Sequence, residues 1–284
     1  MEDKVLLKQS FLKALKAFVT TLTTEISLND EWTMRGVIDI FKKVYPLPSD
    51  TKVISRIFEL HLLPHFLQFA KIGNFRLEPA EHQNWYPDLT FVSKQNPIVK
   101  FAVDLKTTYR DESNPNFCNG FTLGSHGEYF IDRKSKKNVQ YPYGDYLGHF
   151  CVGIIYTRKP QHSVNKPRSF TVKSVEKIPA MLENLLIFAE EKWKIASDNQ
   201  GSGNTANIGS IKCIEDIIAG KGVFSLAGEE LFDEYWVNFG KLKVPDKKGG
   251  YKTLSTFEEF LSFKSLPLNL NYPKRTKKRS TSDE

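Results

Sequence analysis

Cysteine is scarce in this 284-residue chain: Cys118, Cys151 and Cys213 are odd in number, far apart and form no Cys-x-x-Cys pair. That excludes a disulfide scaffold and a cysteine-held zinc site, and it fits a reducing, cytoplasmic setting. Long apolar runs are missing too. None approaches the roughly 20 residues that cross a bilayer, and Met1-Glu2-Asp3-Lys4 is not the basic and then apolar opening of a secretion signal. A soluble protein with no membrane partner is expected. Internal repeats and clean linkers are also absent, so one domain with two lobes is expected. Aromatic residues, by contrast, are plentiful. With 21 Phe, 11 Tyr, 4 Trp and 40% hydrophobic residues the chain can bury a sizeable core, which argues against global disorder. Lys plus Arg number 40 against 33 Asp plus Glu, a formal charge of +7. Such a surplus favours a polyanionic partner without naming one.

Leu7, Phe11, Leu15, Phe18 and Leu22 recur at helical spacing, so residues 4–23 read as an amphipathic helix. Pro46-Leu47-Pro48-Ser49-Asp50 is a stop followed by an N-cap signal, and Val53, Ile54, Ile57, Phe58 and Leu60 predict a helix running toward Pro64, with Glu59 on it. Two extended segments, 88–92 and 98–106, flank the turn-rich Ser93-Lys94-Gln95-Asn96-Pro97 and predict a hairpin. Residues 150–156 predict a third strand, residues 180–194 a helix, and residues 197–210 a polar, glycine-rich loop. Residues 231–239 and 256–263 predict short helices. The tail from residue 267, with Lys274-Arg275-Thr276-Lys277-Lys278-Arg279, has no apolar period and is expected to be a solvated, disordered end.

In Phe101-Ala102-Val103-Asp104-Leu105-Lys106 the side chains alternate, which puts Phe101, Val103 and Leu105 toward a core and Asp104 and Lys106 on the other face. Antiparallel pairing about Asn96 sets Asp88 opposite Asp104 and Thr90 opposite Ala102, with Cβ atoms roughly 4.5–5.5 Å apart. Two carboxylates that close repel one another, and one takes up a proton unless a cation sits between them. A hard divalent ion, Mg²⁺ above all, resolves this and leaves positions for water and a phosphate oxygen. Lys106 beside it could orient or help deprotonate a water and offset charge on a pentacovalent phosphate. The chemistry implied is phosphodiester hydrolysis. The competing reading is a surface hairpin whose Asp and Lys form an ordinary ion pair.

Two other patterns are set aside. His61 and His65 stand at i, i+4, but Leu62-Leu63-Pro64 replaces the glutamate of a zinc-protease helix. Gly201-Ser202-Gly203-Asn204-Thr205-Ala206 superficially matches a dinucleotide fingerprint, yet it lacks the strand, helix and acidic residue in register. That same stretch suits contact with DNA, since glycines let backbone approach base edges and Asn204 or Asn207 can bond bidentately to adenine. A flexible surface loop is the alternative.

Several separated segments resemble the EcoRV family of type II restriction endonucleases, within the PD-(D/E)xK nuclease superfamily. They are Tyr45-Pro46-Leu47-Pro48-Ser49-Asp50-Thr51-Lys52-Val53, Ile57-Phe58-Glu59-Leu60, Gln83-Asn84-Trp85-Tyr86-Pro87-Asp88, Asp104-Leu105-Lys106-Thr107-Thr108-Tyr109, Phe121-Thr122-Leu123-Gly124, Tyr156-Thr157-Arg158 and residues 201–210. The resemblance runs from about residue 28 to residue 264, and the last stretch is its most specific part. It implies an α/β restriction-endonuclease core, with a central mixed sheet flanked by helices and with DNA-binding and dimerisation lobes. Residues 1–265 would form one domain, with dimerisation near 28–46, a catalytic core near 50–160, recognition near 195–212, and 266–284 as tail.

By the same resemblance the protein would be a homodimer on duplex DNA that cuts with Mg²⁺, Mn²⁺ being expected to substitute, to give 5′-phosphate and 3′-hydroxyl ends. Asp88 and Asp104 would be metal ligands, Lys106 would serve the attacking water, and Glu59 would be an auxiliary acid able to hold a further metal. Gly201, Ser202, Gly203, Asn204, Thr205 and Asn207 would read the major groove, and Gln83 and Asn84 would approach the minor groove. Thr108, Thr122 and Lys137 would lie along phosphates. Residues 33–45 would pair the two subunits. The expected site is GATATC, cut bluntly at its centre, in a prokaryotic cytoplasm where a companion methyltransferase acts on the same site. Departures are Ala206 in place of threonine, His82 and Trp85 in the minor-groove loop, and the basic tail. A silent DNA-binding protein and a structure-selective nuclease of the same fold are the alternatives.

Overall fold

The computed structural model describes residues 2–159, 169–201, 206–246 and 249–267. In chain order, α1 (Glu2–Ile26) leads to β1 (Ser27–Leu28), β2 (Glu31–Trp32), β3 (Gly36–Ile38), β4 (Lys43–Pro46) and α2 (Thr51–Ile72). Then come β5 (Phe75–Pro79), β6 (Leu89–Ser93), β7 (Lys100–Tyr109), β8 (Thr122–Ser125), α3 (Glu128–Ile131) and β9 (Gly148–Arg158). Next are β10 (Phe170–Thr171), β11 (Leu182–Glu191), α4 (Lys192–Ile195), β12 (Ala196–Gln200), β13 (Asn207–Ser210), α5 (Ile214–Ile218) and α6 (Glu229–Asn238). The small hairpin β14 (Lys243–Pro245) and β15 (Tyr251–Thr253) precedes α7 (Phe257–Phe263).

A seven-stranded sheet in the order β1-β2-β11-β9-β7-β6-β5 forms the centre, and it is mixed: β7 and β9 run parallel while its other pairs are antiparallel. Alternation along β7 and β9 supplies two cores. Phe101, Val103, Leu105, Val152 and Ile154 meet the buried stripes of α1 (Phe11, Leu15, Leu22) and α2 (Ile54, Phe58, Leu62, Phe66). On the other face Ala102, Cys151 and Ile155 join Phe121, Tyr129, Phe130 and the aromatic residues of α6 and α7. This is the expected α/β arrangement of a mixed sheet flanked by helices.

The long first helix is close to its predicted span, although Leu7 stays exposed and Val19 and Ile26 complete the buried stripe. Asp50 caps α2 as the sequence indicates, accepting from the Lys52 and Val53 amides at 3.0 Å each. The helix does not end near Pro64, however. Pro64 lies on the solvent side, where the freed Leu60 carbonyl can meet water, and burial of Phe66, Phe69 and Ala70 carries the helix to Ile72. Of the two histidines set aside, His61 accepts from Trp32 Nε1 at 3.3 Å and His65 lies 3.0 Å from Glu25.

Residues 180–194 are not a helix. Leu182–Glu191 is a strand between β9 and β2, and only Lys192–Ile195 is helical. An interior strand with both faces covered loses the two-residue alternation, so its apolar run reads equally well as a buried helix. Nor is residues 197–210 simply a loop: β12 and β13 pair across it, with Gln200 opposite Ile208. Among the described residues, no helix is long and apolar enough to cross a membrane.

Candidate active site

The hairpin β6–β7 carries the acidic pair. Leu89 pairs with Val103 and Thr90 with Ala102, the register that sets Asp88, one residue before β6, against Asp104 in β7. Each carboxylate is held by the other's strand. The Asp88 amide donates to Asp104 Oδ1 at 3.2 Å, and the Leu105 amide donates to Asp88 Oδ2 at 2.8 Å. Lys106 Nζ spans both, 3.3 Å from Asp88 Oδ2 and 3.1 Å from Asp104 Oδ2.

Burial pushes the Asp88 carboxyl up to about 6; Lys106 opposes that rise, while the charges of Asp104 and Glu59 add to it. For Lys106, burial alone would favour loss of the proton, but Asp104 and Asp88 outweigh it and hold the ammonium more firmly than in an ordinary lysine. One ammonium therefore does not neutralise the pair. The donors are all carboxylate oxygens with negative charge in excess, a set that fits a hard divalent cation. Among the described residues no group of three or more His, Cys, Asp or Glu could hold a metal ion. Two carboxylates plus water and phosphate oxygens are what this site can offer.

Glu59, on α2, lines cavities shared with Asp88 and pairs with Arg56 one turn earlier. Asp88, Asp104 and Lys106 open into a cleft of about 440 Å³ whose walls include Gln83, Asn84 and Ala206. An adjoining cavity of about 340 Å³ places Thr108 and Thr122 beside Lys106 and Glu59. Lys137 stands apart, exposed, with Nζ 2.6 Å from Glu128. Gly201 lies at the end of β12 against β8 and β13: a Cβ there would come within 3.1 Å of Thr122 Oγ1 and 3.2 Å of the Ile208 carbonyl. Asn207 pairs with Ser125, and the Ala206 carbonyl accepts from the His126 amide at 2.7 Å. Ser202, Gly203, Asn204, Thr205 and the basic tail lie outside the described residues.

Sequence reasoning missed part of the cleft. Gly124, Ser125 and Tyr129 line it beside Asp104. Beneath it Tyr86 Oη meets His149 Nδ1 at 2.8 Å, and Tyr143 stacks on the His149 ring at 3.8 Å. Burial holds His149 well below the usual range, in the neutral form. Gly124 sits within a stretch of family resemblance, so a signal for it existed; none singled out His149.

The family model described as "Restriction endonuclease EcoRV" matches residues 28–265. The type II restriction enzyme EcoRV of Escherichia coli is 37% identical over 212 residues, 74% of this chain and 84% of that enzyme. Similarity of that extent includes the acidic hairpin, α2 and both arms around residues 201–206, and on it the chain belongs to the EcoRV family of restriction endonucleases.

Proposed function

We propose that this restriction endonuclease, a metal-dependent nuclease of double-stranded DNA, hydrolyses both strands of the palindrome GATATC at its centre, leaving blunt 5′-phosphate and 3′-hydroxyl ends. The observation that carries this reading is the convergence of Asp88, Asp104 and Lys106 in one cleft with Gln83, Asn84 and Ala206. The residues facing a scissile phosphate thus adjoin two segments suited to the two grooves.

Mg²⁺, with Mn²⁺ as a substitute, held by Asp88 and Asp104, would supply Lewis-acid chemistry at the phosphate oxygen. Lys106 orients the attacking water and offsets the charge that builds on phosphorus. Glu59 is an auxiliary acid near Asp88, available to a further cation. Thr108, Thr122 and Lys137 contact phosphates, and residues 201–207, with Gly201, Asn204 and Asn207 foremost, read the major groove.

A homodimer supplies the two-fold symmetry that a palindrome requires. Ile40 and Phe41 are 90% and 77% exposed, beside exposed Val37, Ile38 and Tyr45, an apolar surface consistent with pairing through residues 33–45. The domain layout follows: dimerisation near residues 28–46, catalysis near 50–160, recognition near 195–212. A bacterial cytoplasm with a methyltransferase protecting the same site completes the reading. The test is a digest of one sequenced plasmid with Mg²⁺, its ends mapped. Discrete EDTA-sensitive fragments with blunt ends at GATATC are expected; a smear, intact plasmid or ends at another sequence would overturn it.

A further inference from the structure

Lys192, the first residue of α4, is 3% exposed, and among the described residues its Nζ has no hydrogen-bond partner and no ion pair. A buried ammonium without a partner is unfavourable unless something else holds its charge. It is held instead by aromatic faces: Nζ lies 5.3 Å from the Tyr86 ring centroid and 5.6 Å from those of Phe130 and Tyr143. Nζ lies 3.4 Å from the point where residue 124 would carry a Cβ, and that residue is glycine, with φ at +96°. Gly124, Tyr86 and Tyr129 line the same cleft as Asp104 and Lys106. The Gly124 backbone and the Tyr129 hydroxyl, 3.5 Å from the same point, are the wall between this ammonium and the space where the DNA strand would lie.

We propose that Lys192 is a positioning residue for strand cleavage: a buried ammonium that projects positive potential through the side-chain-free wall at Gly124 onto the phosphodiester in the cleft. This rests on the cleft being the place where DNA is cut. A charge surrounded by rings acts through low dielectric and is little screened by salt, so it attracts a phosphate more strongly than a surface lysine at similar range. The rings, which cannot accept a full hydrogen bond, leave that charge uncommitted.

Burial brings the Lys192 ammonium down to about 8. The charged and titratable groups facing it are Asp104 and Lys106 of β7, Cys151 and His149 of β9, Asp233 of α6, Arg133, which lies over the same Phe130 and Tyr143 rings and pairs with Asp233 at 2.6 Å, and the surrounding phenols. Asp104 and Asp233 support its charge, and Lys106 opposes it.

The test compares the pH dependence of kcat/KM, on duplex DNA with Mg²⁺, for wild type and Lys192→Met. Methionine fills the aromatic cage without charge and removes an unpartnered ammonium, so the variant is expected to fold. The wild-type advantage should be about tenfold or more near pH 7 and should shrink as pH rises past 8, where wild type loses the same charge. A ratio near one at pH 7, or a ratio that stays flat with pH, would overturn the proposal, since a packing role is indifferent to proton concentration.

Should Lys192→Met not fold, ¹³Cε-lysine NMR of the wild type decides. A single lysine titrating near 8 should move upward on binding a duplex without metal, and no such movement would refute it. Asp88→Ala serves as the control. If that variant cuts normally, the cleft reading itself fails; if it is dead while Lys192→Met is fully active, only the role of Lys192 falls.

Discussion

Replacing Asp88 with asparagine should make the metal-free protein more stable while destroying its activity. Unfolded, this carboxyl titrates near 3.8; folded, near 6. Between those values the folded protein keeps a proton that the unfolded chain has lost, so stability falls as pH rises through the interval, and the loss is complete by about pH 7. At 1.36 kcal/mol per pH unit the full effect is about 3 kcal/mol, an upper figure because the site is partly open to solvent. Asparagine cannot ionise, yet its side-chain oxygen can still accept from the Leu105 amide. In EDTA at pH 7.5 the Asp88→Asn protein should therefore gain up to about 3 kcal/mol, a rise of several degrees in Tm. About 1.4 kcal/mol of the wild type's loss falls between pH 5 and 7.5, and the variant should lack it. Adding Mg²⁺ should raise the melting point of wild type but not of the variant. Calorimetry with and without the ion, at both pH values, checks this. A variant no more stable than wild type at pH 7.5, with the same pH dependence, would refute the account of an Asp88 carboxyl raised by burial.

Lys106→Ala should lower cleavage by more than about 100-fold while duplex binding survives. Because Lys106 holds the Asp88 carboxyl down, its removal should push that group higher still; activity within tenfold of wild type would rule out the assigned role. Gly201→Ala places a methyl within 3.1 Å of Thr122 Oγ1, a crowding expected to cost about 1–3 kcal/mol. It should also blunt discrimination between the target and single-base variants, and unchanged Tm and selectivity would contradict it. Ile40→Asp combined with Phe41→Ser alters side chains that are 90% and 77% exposed. It should leave the fold intact and, on the proposed pairing through residues 33–45, convert the wild type's dimer into a monomer by sedimentation velocity, while an unchanged sedimentation coefficient would contradict that pairing.

The acidic hairpin was legible because its logic is local. A turn-rich stretch, two extended flanks and strict alternation determine which residues face one another, and the pairing of Thr90 with Ala102 follows from nothing more distant. The cap of α2 was legible for the same reason. What failed depends on the rest of the molecule. Leu182–Glu191 became a strand because sheet neighbours and layers on both faces cover it, and α2 crossed Pro64 because burial beyond that point repays the lost hydrogen bond. Lys192 was invisible as well. A lysine between Glu191 and Trp193 reads as a surface residue until Tyr86, Phe130 and Tyr143, from distant parts of the chain, close around it.

The crossed amide contacts, from Asp88 to the Asp104 carboxylate and from Leu105 to the Asp88 carboxylate, make the hairpin behave like a caliper, whose jaw opening is set by the ladder and not by the length of chain at its tip. Residues could be added to or trimmed from the connection around Asn96 without altering the gap between the acids, whereas one residue inserted within either arm would turn a carboxylate to the wrong face. Genome searches that demand a fixed count between the two acids would therefore overlook working enzymes of this kind, and the better query is a ladder register with a lysine two places beyond its second acid.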